Sequence, residues 1–457
     1  MKILKFGGSS VGTPERIKKV MGIVRDAREK EKVAIVVSAF EGVTDELLRI
    51  AEIASKGNKE YLPALAALSK RHLDVAHVLI LPKHRRAALA EIDSLFGELR
   101  EALQGMRLVR EISPKTLDFV MSFGERLAAF IISRAMSSAR LPAEFLDARS
   151  VLETDQNFGN ANVDVRASYG KINDYFGLHA QTQVVTGFIG STAQGETTTL
   201  GRGGSDYSAA LFGAALNARA IEIWTDVTGV MSADPRVVPG AKTLPRIDYE
   251  EMIEMAYFGA KVVHPATMLP AIRKKIPILI KNTFNPKAPG TLISPSTDKN
   301  MPIKGVAAID GIVLVNLSGT SLAGIPGSAA RVFGATARAK ANVILISQAS
   351  SEHTICLAIK SAEGRPAIKA LRKEFADDIK DKKVFLSALS ERAIIAVVGG
   401  GMKGIPDTAG KLFHALGEHR INISAIAQGS SERNISFVVA SKDMRKAMNV
   451  VHEKFFT

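Results

Sequence analysis

Two glycine-rich segments hold the residue types best suited to chemistry. Gly7-Gly8-Ser9-Ser10 follows Lys5 at the end of an apolar run, so closely spaced backbone N–H groups can close on an anion beside an ammonium. Thr13 stands after Gly12 where a Walker A sequence has lysine, which places the cradle in a different nucleotide-binding scheme. In the second segment, Thr197-Thr198-Thr199-Leu200-Gly201-Arg202-Gly203-Gly204-Ser205-Asp206, the planar guanidinium of Arg202 suits a carboxylate or phosphate, and Asp206 can orient a cation or a lysine. Two such loops can face each other. Each also has a plain structural reading: a tight βα turn for the first, a helix-dipole carboxylate and a surface ion pair for the second.

Three further segments add charge at expected element ends. Trp224 to Arg236 follows a strand, with Asp226 and Arg236 on a loop long enough to wrap a nucleotide. Phe258 to Pro265 places Lys261 where one helix ends and another starts, and His264 before Pro265 reads as an N-cap or turn residue. Ser122-Phe123-Gly124-Glu125-Arg126 lies in an apolar helix, where an inward carboxylate needs a cationic partner. That partner is either an arginine in the neighbourhood of Arg126 or the ammonium of a substrate.

The elements that must position these groups alternate between strand and helix. Lys2–Phe6 reads as a strand, and Pro14 begins a helix with Thr13 as its N-cap. Val33–Ala39, Ala143–Leu146, Gln183–Ile189, Ile221–Thr225 and Pro277–Lys281 supply further strands. Helical periodicity dominates from Asp45 to about Gln104, returns through Leu117–Met136, and a helix follows the second glycine loop over Tyr207–Leu216. This is the α/β alternation of a covered, mostly parallel sheet, running to residue 284. Residues 285–304, with four prolines among Ser, Thr and Gly, read as a linker.

Beyond it the sequence repeats. Gly319–Pro326 aligns with Gly399–Pro406 at an offset of 80 residues, which carries Phe333 onto Phe413, Asn342 onto Asn422, and Gln348 with the following Ser-Ser-Glu onto Gln428. Two copies of strand, turn, helix, strand, strand are too few for a solenoid and read as paired α+β modules, 305–385 and 386–457.

Composition narrows the function classes. With 46% hydrophobic residues, and roughly 150 residues per domain as a guide, the 457-residue chain is long enough for about three packed cores. A single cysteine, Cys356, excludes an internal disulfide and Cys-rich metal sites and points to the cytoplasm. No signal-peptide h-region precedes Gly7, and the uncharged stretch Gly311–Ala330 is broken by glycines and Pro326, so neither export nor a membrane span is expected. The +14 net charge is scattered apart from Lys83–Arg86, which argues against nucleic acid and for a bias toward small anions.

Taken together, these motifs resemble the amino acid kinase family and, within it, the aspartate kinases, over essentially the whole chain. Lys5 to Val11 is similar to the family's opening motif, Thr197–Asp206 to its glycine–arginine loop, Trp224–Arg236 to its adenine and phosphate loop, and the repeat to two ACT domains. The resemblance implies an amino acid kinase fold, a mostly parallel sheet sandwiched by helices, followed by two ferredoxin-like ACT domains. It implies transfer of the ATP γ-phosphoryl group to the side-chain carboxylate of L-aspartate, the first step toward lysine, threonine and methionine. By position, Lys5 would bridge the transferred group and Asp206 would hold that lysine. Ser38, Thr44, Glu125, Arg202 and Ser205 would bind aspartate, Arg202 at the α-carboxylate and Glu125 at the ammonium. Lys5, Gly7, Gly8, Ser9, Thr225, Asp226, Met231, Arg236 and Lys261 would contact ATP, with Mg²⁺ held through the nucleotide phosphates and not by a protein ligand set. Ser9 stands where Thr is commoner, and Met231 replaces the usual tyrosine, removing a ring and a hydroxyl near the adenosine.

For the paired modules the resemblance implies an amino-acid effector. The pattern around Gln348 and Gln428 is closer to threonine-sensitive than to lysine-sensitive aspartate kinases, with Asn342 and Gln348 in one site and Asn422 and Gln428 in the other. Assembly through the modules into a homodimer or homotetramer is expected, and with the sequence ending at Thr457, no dehydrogenase domain. Two alternatives stand beside this reading: another member of the family acting on a different acceptor, and a catalytically silent amino-acid sensor.

Overall fold

The computed structural model describes residues 1–259, 265–296, 301–322, 325–349 and 353–456. In the first of its two units, Met1–Val230 with Val262–Pro295, short β-branched runs become buried strands. These are β1 (Lys2–Phe6), β2 (Val33–Val37), β3 (Ala143–Leu146), β4 (Thr182–Thr186), β5 (Ala220–Thr225), β6 (Ile278–Asn282) and β7 (Thr291–Ser294). They lie in the order β3-β4-β2-β1-β5-β6-β7, parallel except for β7, which runs antiparallel to β6. Every residue of β2 and β4 is buried, as expected of strands covered on both faces.

The helices pack on this sheet through their apolar stripes. Thr13 caps α1 (Pro14–Arg28), accepting from the Arg16 N–H, and the proline at the first helical position removes one N–H that would lack a partner. The periodic stretch after Asp45 resolves into α2 (Val43–Ser55) and two long helices over Tyr61–Leu79 and Pro82–Val109. α3 (Pro114–Ser138) is buried along most of its length, and Phe123, Leu127 and Ile131 share one core with Leu4, Ile35 and Leu47. α4 (Gly204–Ala215) starts three residues earlier than the sequence spacing predicts, within the glycine loop itself. A three-stranded sheet of Glu153–Thr154, Ile189–Thr192 and Thr197–Thr199 leads into that loop.

The second unit, Met231–Lys261 with Ser296–Thr457, is built on a six-stranded antiparallel sheet. Its strands are β8 (Gly305–Ser318), β9 (Val343–Gln348), β10 (Thr354–Lys360), β11 (Phe385–Val398), β12 (Ala425–Gln428) and β13 (Asn434–Ala440), in the order β9-β10-β8-β11-β13-β12. The repeat offset survives in the elements: β8 and β11, β10 and β13, and the helices Ser328–Arg338 and Thr408–Glu418 each stand 80 residues apart.

The repeats do not split at residue 385. β8 and β11 pair along their whole length, with bulges beside Gly311. Val306, early in β8, packs in the core of the second repeat with Ile395, Leu412 and Phe437, while Val384 and Leu386 pack in the core of the first with Val315 and Leu357. The two strands therefore exchange between the repeats. The unit boundary also falls elsewhere than at residue 284: Ala233 and Val238 join the second repeat's core, and β7, inside the stretch read as a linker, extends the first unit's sheet.

Candidate functional site

Lys5 sits one residue from the end of β1, opposite Val36 on one side and Ile223 on the other. Flanking apolar strands leave it 9% exposed, and an ammonium so placed requires a counter-charge. Asp206, in the first turn of α4, supplies it: Nζ lies 2.5 Å from Oδ1. The contact is an ion pair off the hydrogen-bonding direction, and Oδ1, although buried, makes no directed hydrogen bond. β1 lies where the strand order reverses between β2 and β5, the position at which open α/β sheets bind ligands.

The chain reaches α4 through two left-handed glycines, Gly201 (φ 71°) and Gly203 (φ 73°), a conformation other residues seldom adopt. Ser205 follows, packed so closely on Gly187 that a Cβ there would stand 2.7 Å from the Ser205 Cβ. Arg202 is exposed and makes no ion pair among the described residues, leaving its fork available to an anion.

From α3, Glu125 projects toward the same place. Its Oε1 accepts the Ala39 N–H at 3.1 Å, and its Oε2 is buried without a hydrogen-bond partner. Burial pushes this carboxyl up to about 8, against the pull of the Ala39 N–H and the Lys5 charge. Arg126 is not its partner: it reaches Glu98 at 3.0 Å and Asp147 at 3.6 Å, and lies over the Phe123 ring. Successive helix residues point about 100° apart, which separates the two charges.

Lys5, Ser38, Thr44, Glu125, Arg202, Ser205 and Asp206 thus line one cavity of about 780 Å³, within the range of about 300–1,000 Å³ usual for small-ligand sites. Its lining carries two cations, Lys5 and Arg202, three carboxylates, Asp118, Glu125 and Asp206, and the apolar side chains of Leu48, Leu117 and Met121. Such a cavity can hold a small zwitterion by both charges and turn a third polar group toward Lys5.

Gly7, Gly8 and Ser9 form the turn after β1, where Gly8–Val11 makes a single helical turn in place of an open loop. The Gly7 N–H donates to the Trp224 carbonyl, tying this turn to the end of β5, and Ser10 Oγ bonds Thr283 Oγ1 at 2.7 Å. Thr225 and Asp226 close β5, joined by a 2.9 Å hydrogen bond. In the second unit, half-buried Met231 accepts a contact from Thr243 at its sulfur, and exposed Arg236 is paired with Asp234 at 2.6 Å. Lys261 and His264 lie outside the described residues. Gln348 and Gln428 end β9 and β12, the two outer strands of the second sheet, and both are exposed, as are Asn342 and Asn422.

The sequence reading missed Phe188. The stretch read as one strand over 183–189 breaks after Thr186, and Phe188 turns left-handed (φ 68°) to line the cavity, held by its N–H donating to Ser208 Oγ. Gly187 was the only local signal of that break. Among the described residues no group of three or more His, Cys, Asp or Glu could hold a metal ion, and no helix is long and apolar enough to cross a membrane.

Comparison with known proteins identifies the family. Residues 1–282 match the amino acid kinase family, and residues 315–375 and 395–455 match the ACT domain. The chloroplastic bifunctional aspartokinase/homoserine dehydrogenase 2 of Arabidopsis thaliana is 38% identical over 99% of the chain, which spans 50% of that relative. The chain thus covers about half the length of the first curated relatives it matches. Chloroplastic aspartokinase 2 of the same plant is 31% identical over 99% of the chain and 84% of the relative. Among solved structures, E. coli aspartokinase III in complex with aspartate and ADP superposes with a TM-score of 0.81 at 30% identity, covering both chains fully. The same enzyme with lysine and aspartate gives 0.79 at 29%, again over both full chains.

Proposed function

Since the chain belongs to the amino acid kinase family and ends in ACT domains, we propose that it is an aspartate kinase, transferring the γ-phosphoryl group of ATP to the side-chain carboxylate of L-aspartate. The observation that carries this reading is the convergence of Lys5, Asp206, Arg202 and Glu125 on one cavity at the reversal of the sheet. It is supported by the E. coli relative that binds aspartate and ADP.

The mechanism follows from the charges. Arg202, unpaired among the described residues, takes the α-carboxylate in its fork, and the free Oε2 of Glu125 takes the ammonium. With both ends held, the side-chain carboxylate points toward Lys5. A carboxylate is already a nucleophile at neutral pH, so no general base is needed, and the residues act by alignment and charge neutralisation. Asp206, in the first turn of α4, keeps Lys5 extended toward the transferred group by its ion pair. By the family resemblance, Gly7, Gly8 and Ser9 would serve the nucleotide phosphates, and Thr225, Asp226, Met231, Arg236 and Lys261 are the further residues assigned to ATP. Mg²⁺, held through the nucleotide phosphates, would supply charge neutralisation there.

The product, 4-phospho-L-aspartate, would feed lysine, threonine and methionine synthesis, in the cytoplasm on the evidence of a single cysteine. Threonine is proposed as the inhibitor, bound near Asn342 and Gln348 and near Asn422 and Gln428; exposure of all four leaves them open to a ligand. Exposed Ile346 and Ile426 on the outer strands support assembly into a homodimer or homotetramer through these modules. Inhibition requires the effector to prefer the inactive arrangement.

The test is ATP turnover with Mg²⁺ and L-aspartate, trapping the acyl phosphate with hydroxylamine, with and without threonine or lysine. Aspartate-dependent hydroxamate is expected, lost selectively with threonine. Folded, ATP-binding protein that yields none refutes the activity, and inhibition by lysine alone refutes the effector.

A further inference from the structure

α3 carries a second buried carboxylate, two turns before Glu125, that no step above uses. Asp118 is 1% exposed and lines the same cavity. Its Oδ2 accepts the N–H groups of Gly159 at 2.8 Å and Thr199 at 2.9 Å, and its Oδ1 accepts the Thr199 hydroxyl at 2.7 Å. No cation contributes to its environment; burial raises the carboxyl and the three donors lower it.

Those donors come from two segments that build the approach to Arg202. Thr199 ends the strand before the glycine–arginine loop. Gly159 belongs to a turn that supports that loop from behind: the Ala161 N–H donates to the Thr199 carbonyl, and a Cβ on Gly201 would stand 2.3 Å from Asn160 Oδ1. One carboxylate therefore clamps turn and loop to α3, the helix that presents Glu125. The spacing of seven residues puts Asp118 and Glu125 on one face of that helix.

We propose that Asp118 is a positioning residue for aspartate binding: it fixes the distance between the Arg202 fork and the Glu125 carboxyl by clamping the glycine–arginine loop to α3. This rests on the reading of Arg202 and Glu125 as the groups that hold the two ends of aspartate. The clamp works by geometry, not by charge. An asparagine can replace it, since its amide oxygen can accept both N–H groups while its NH₂ donates to the Thr199 oxygen. An alanine leaves two buried N–H groups without a partner and frees the loop.

The experiment compares aspartate KM, ATP KM, kcat and thermal midpoint for wild type, D118A, D118N, T199V and R202A. D118A should raise the aspartate KM about tenfold or more with ATP KM within about twofold, D118N should stay within about threefold of wild type, and T199V should fall between. If D118A does not fold, T199V, which loses only the hydroxyl contact, carries the test through a smaller rise. A wild-type aspartate KM in D118A, or in T199V where D118A is unfolded, overturns the inference even if the thermal midpoint falls. So does a D118N defect equal to that of D118A, which would assign the role to charge. If the wild type shows no aspartate-dependent turnover, or R202A leaves the aspartate KM unchanged, the reading of the site fails and takes the clamp's purpose with it. A rise in R202A without one in D118A removes the clamp alone.

Discussion

If Glu125 receives the ammonium of aspartate, binding must be linked to a proton. Burial holds the free carboxyl at about 8, so at pH 7 roughly one site in eleven is ionised, and at pH 8 about half. The acid form offers no negative charge to an ammonium, and the observed affinity is the intrinsic affinity multiplied by the ionised fraction. Aspartate KM should therefore fall by roughly tenfold to thirtyfold as pH rises from 6.5 to 8.5, with kcat changing far less. Aspartate binding at pH 7 should release close to one proton, since the bound ammonium lowers the carboxyl well below neutrality. A coupled assay of ADP release suits the kinetics, because hydroxylamine itself titrates in this range, and calorimetry in buffers of different ionisation enthalpy counts the proton. E125Q should give a high aspartate KM with no slope. A flat KM in the wild type, or an unchanged slope in E125Q, refutes the argument that this carboxyl is the titrating group.

The remaining predictions concern the pair at the centre of the site, the packing beneath it and the acid limb of stability. K5A should lower kcat at least a hundredfold, as loss of one charge-stabilising group costs about 3–4 kcal/mol of barrier; near-normal turnover in folded protein would remove Lys5 from the mechanism. G187A should raise aspartate KM by displacing Ser205, whose Cβ would lie 2.7 Å from the added methyl; unchanged kinetics would show that Ser205 moves without consequence. His72, stacked on Phe40 and with Nδ1 2.8 Å from the Leu68 carbonyl, is lowered from 6.5 to about 4, chiefly by burial. The unfolded chain takes up that proton below 6.5 and the folded chain does not, so stability present above 6.5 is lost as pH falls toward 4, by roughly 3 kcal/mol. Urea unfolding of the first unit, followed by Trp224, the single tryptophan, should show this acid slope in wild type and a shallower one in H72F; equal slopes would clear His72.

What was legible in the sequence was what local chemistry determines. The apolar run of β1, the Thr13-Pro14 start of α1 and the glycine loop before α4 each declare themselves within a few residues. The 80-residue offset declared the paired modules, since equal sequence patterns bury equal faces. The charged residues of the site were visible for the same reason: a lysine at a strand end, a carboxylate in an apolar helix and an arginine among glycines are all costly unless used. Their convergence was not visible, because the contact between Lys5 and Asp206 is made by the order of strands, not by any local pattern.

The features that stayed hidden share one cause. The turn at Phe188, the exchange of β8 and β11 between the repeats and the packing of Ala233 and Val238 in the second unit depend on partners distant in sequence. Asp118 is the clearest case. In the sequence it is one more acidic residue near the start of an amphipathic helix, where the helix dipole alone would account for it. Its three donors come from Gly159 and Thr199, which have no sequence relation to it. A binding site assembled from a strand, a helix and a loop needs its distances fixed to within a fraction of an ångström, and groups that merely hold those distances carry no local signature. Recognition residues can therefore be read from type and spacing, whereas the residues that set their separation emerge only when each buried polar group is asked which donors satisfy it.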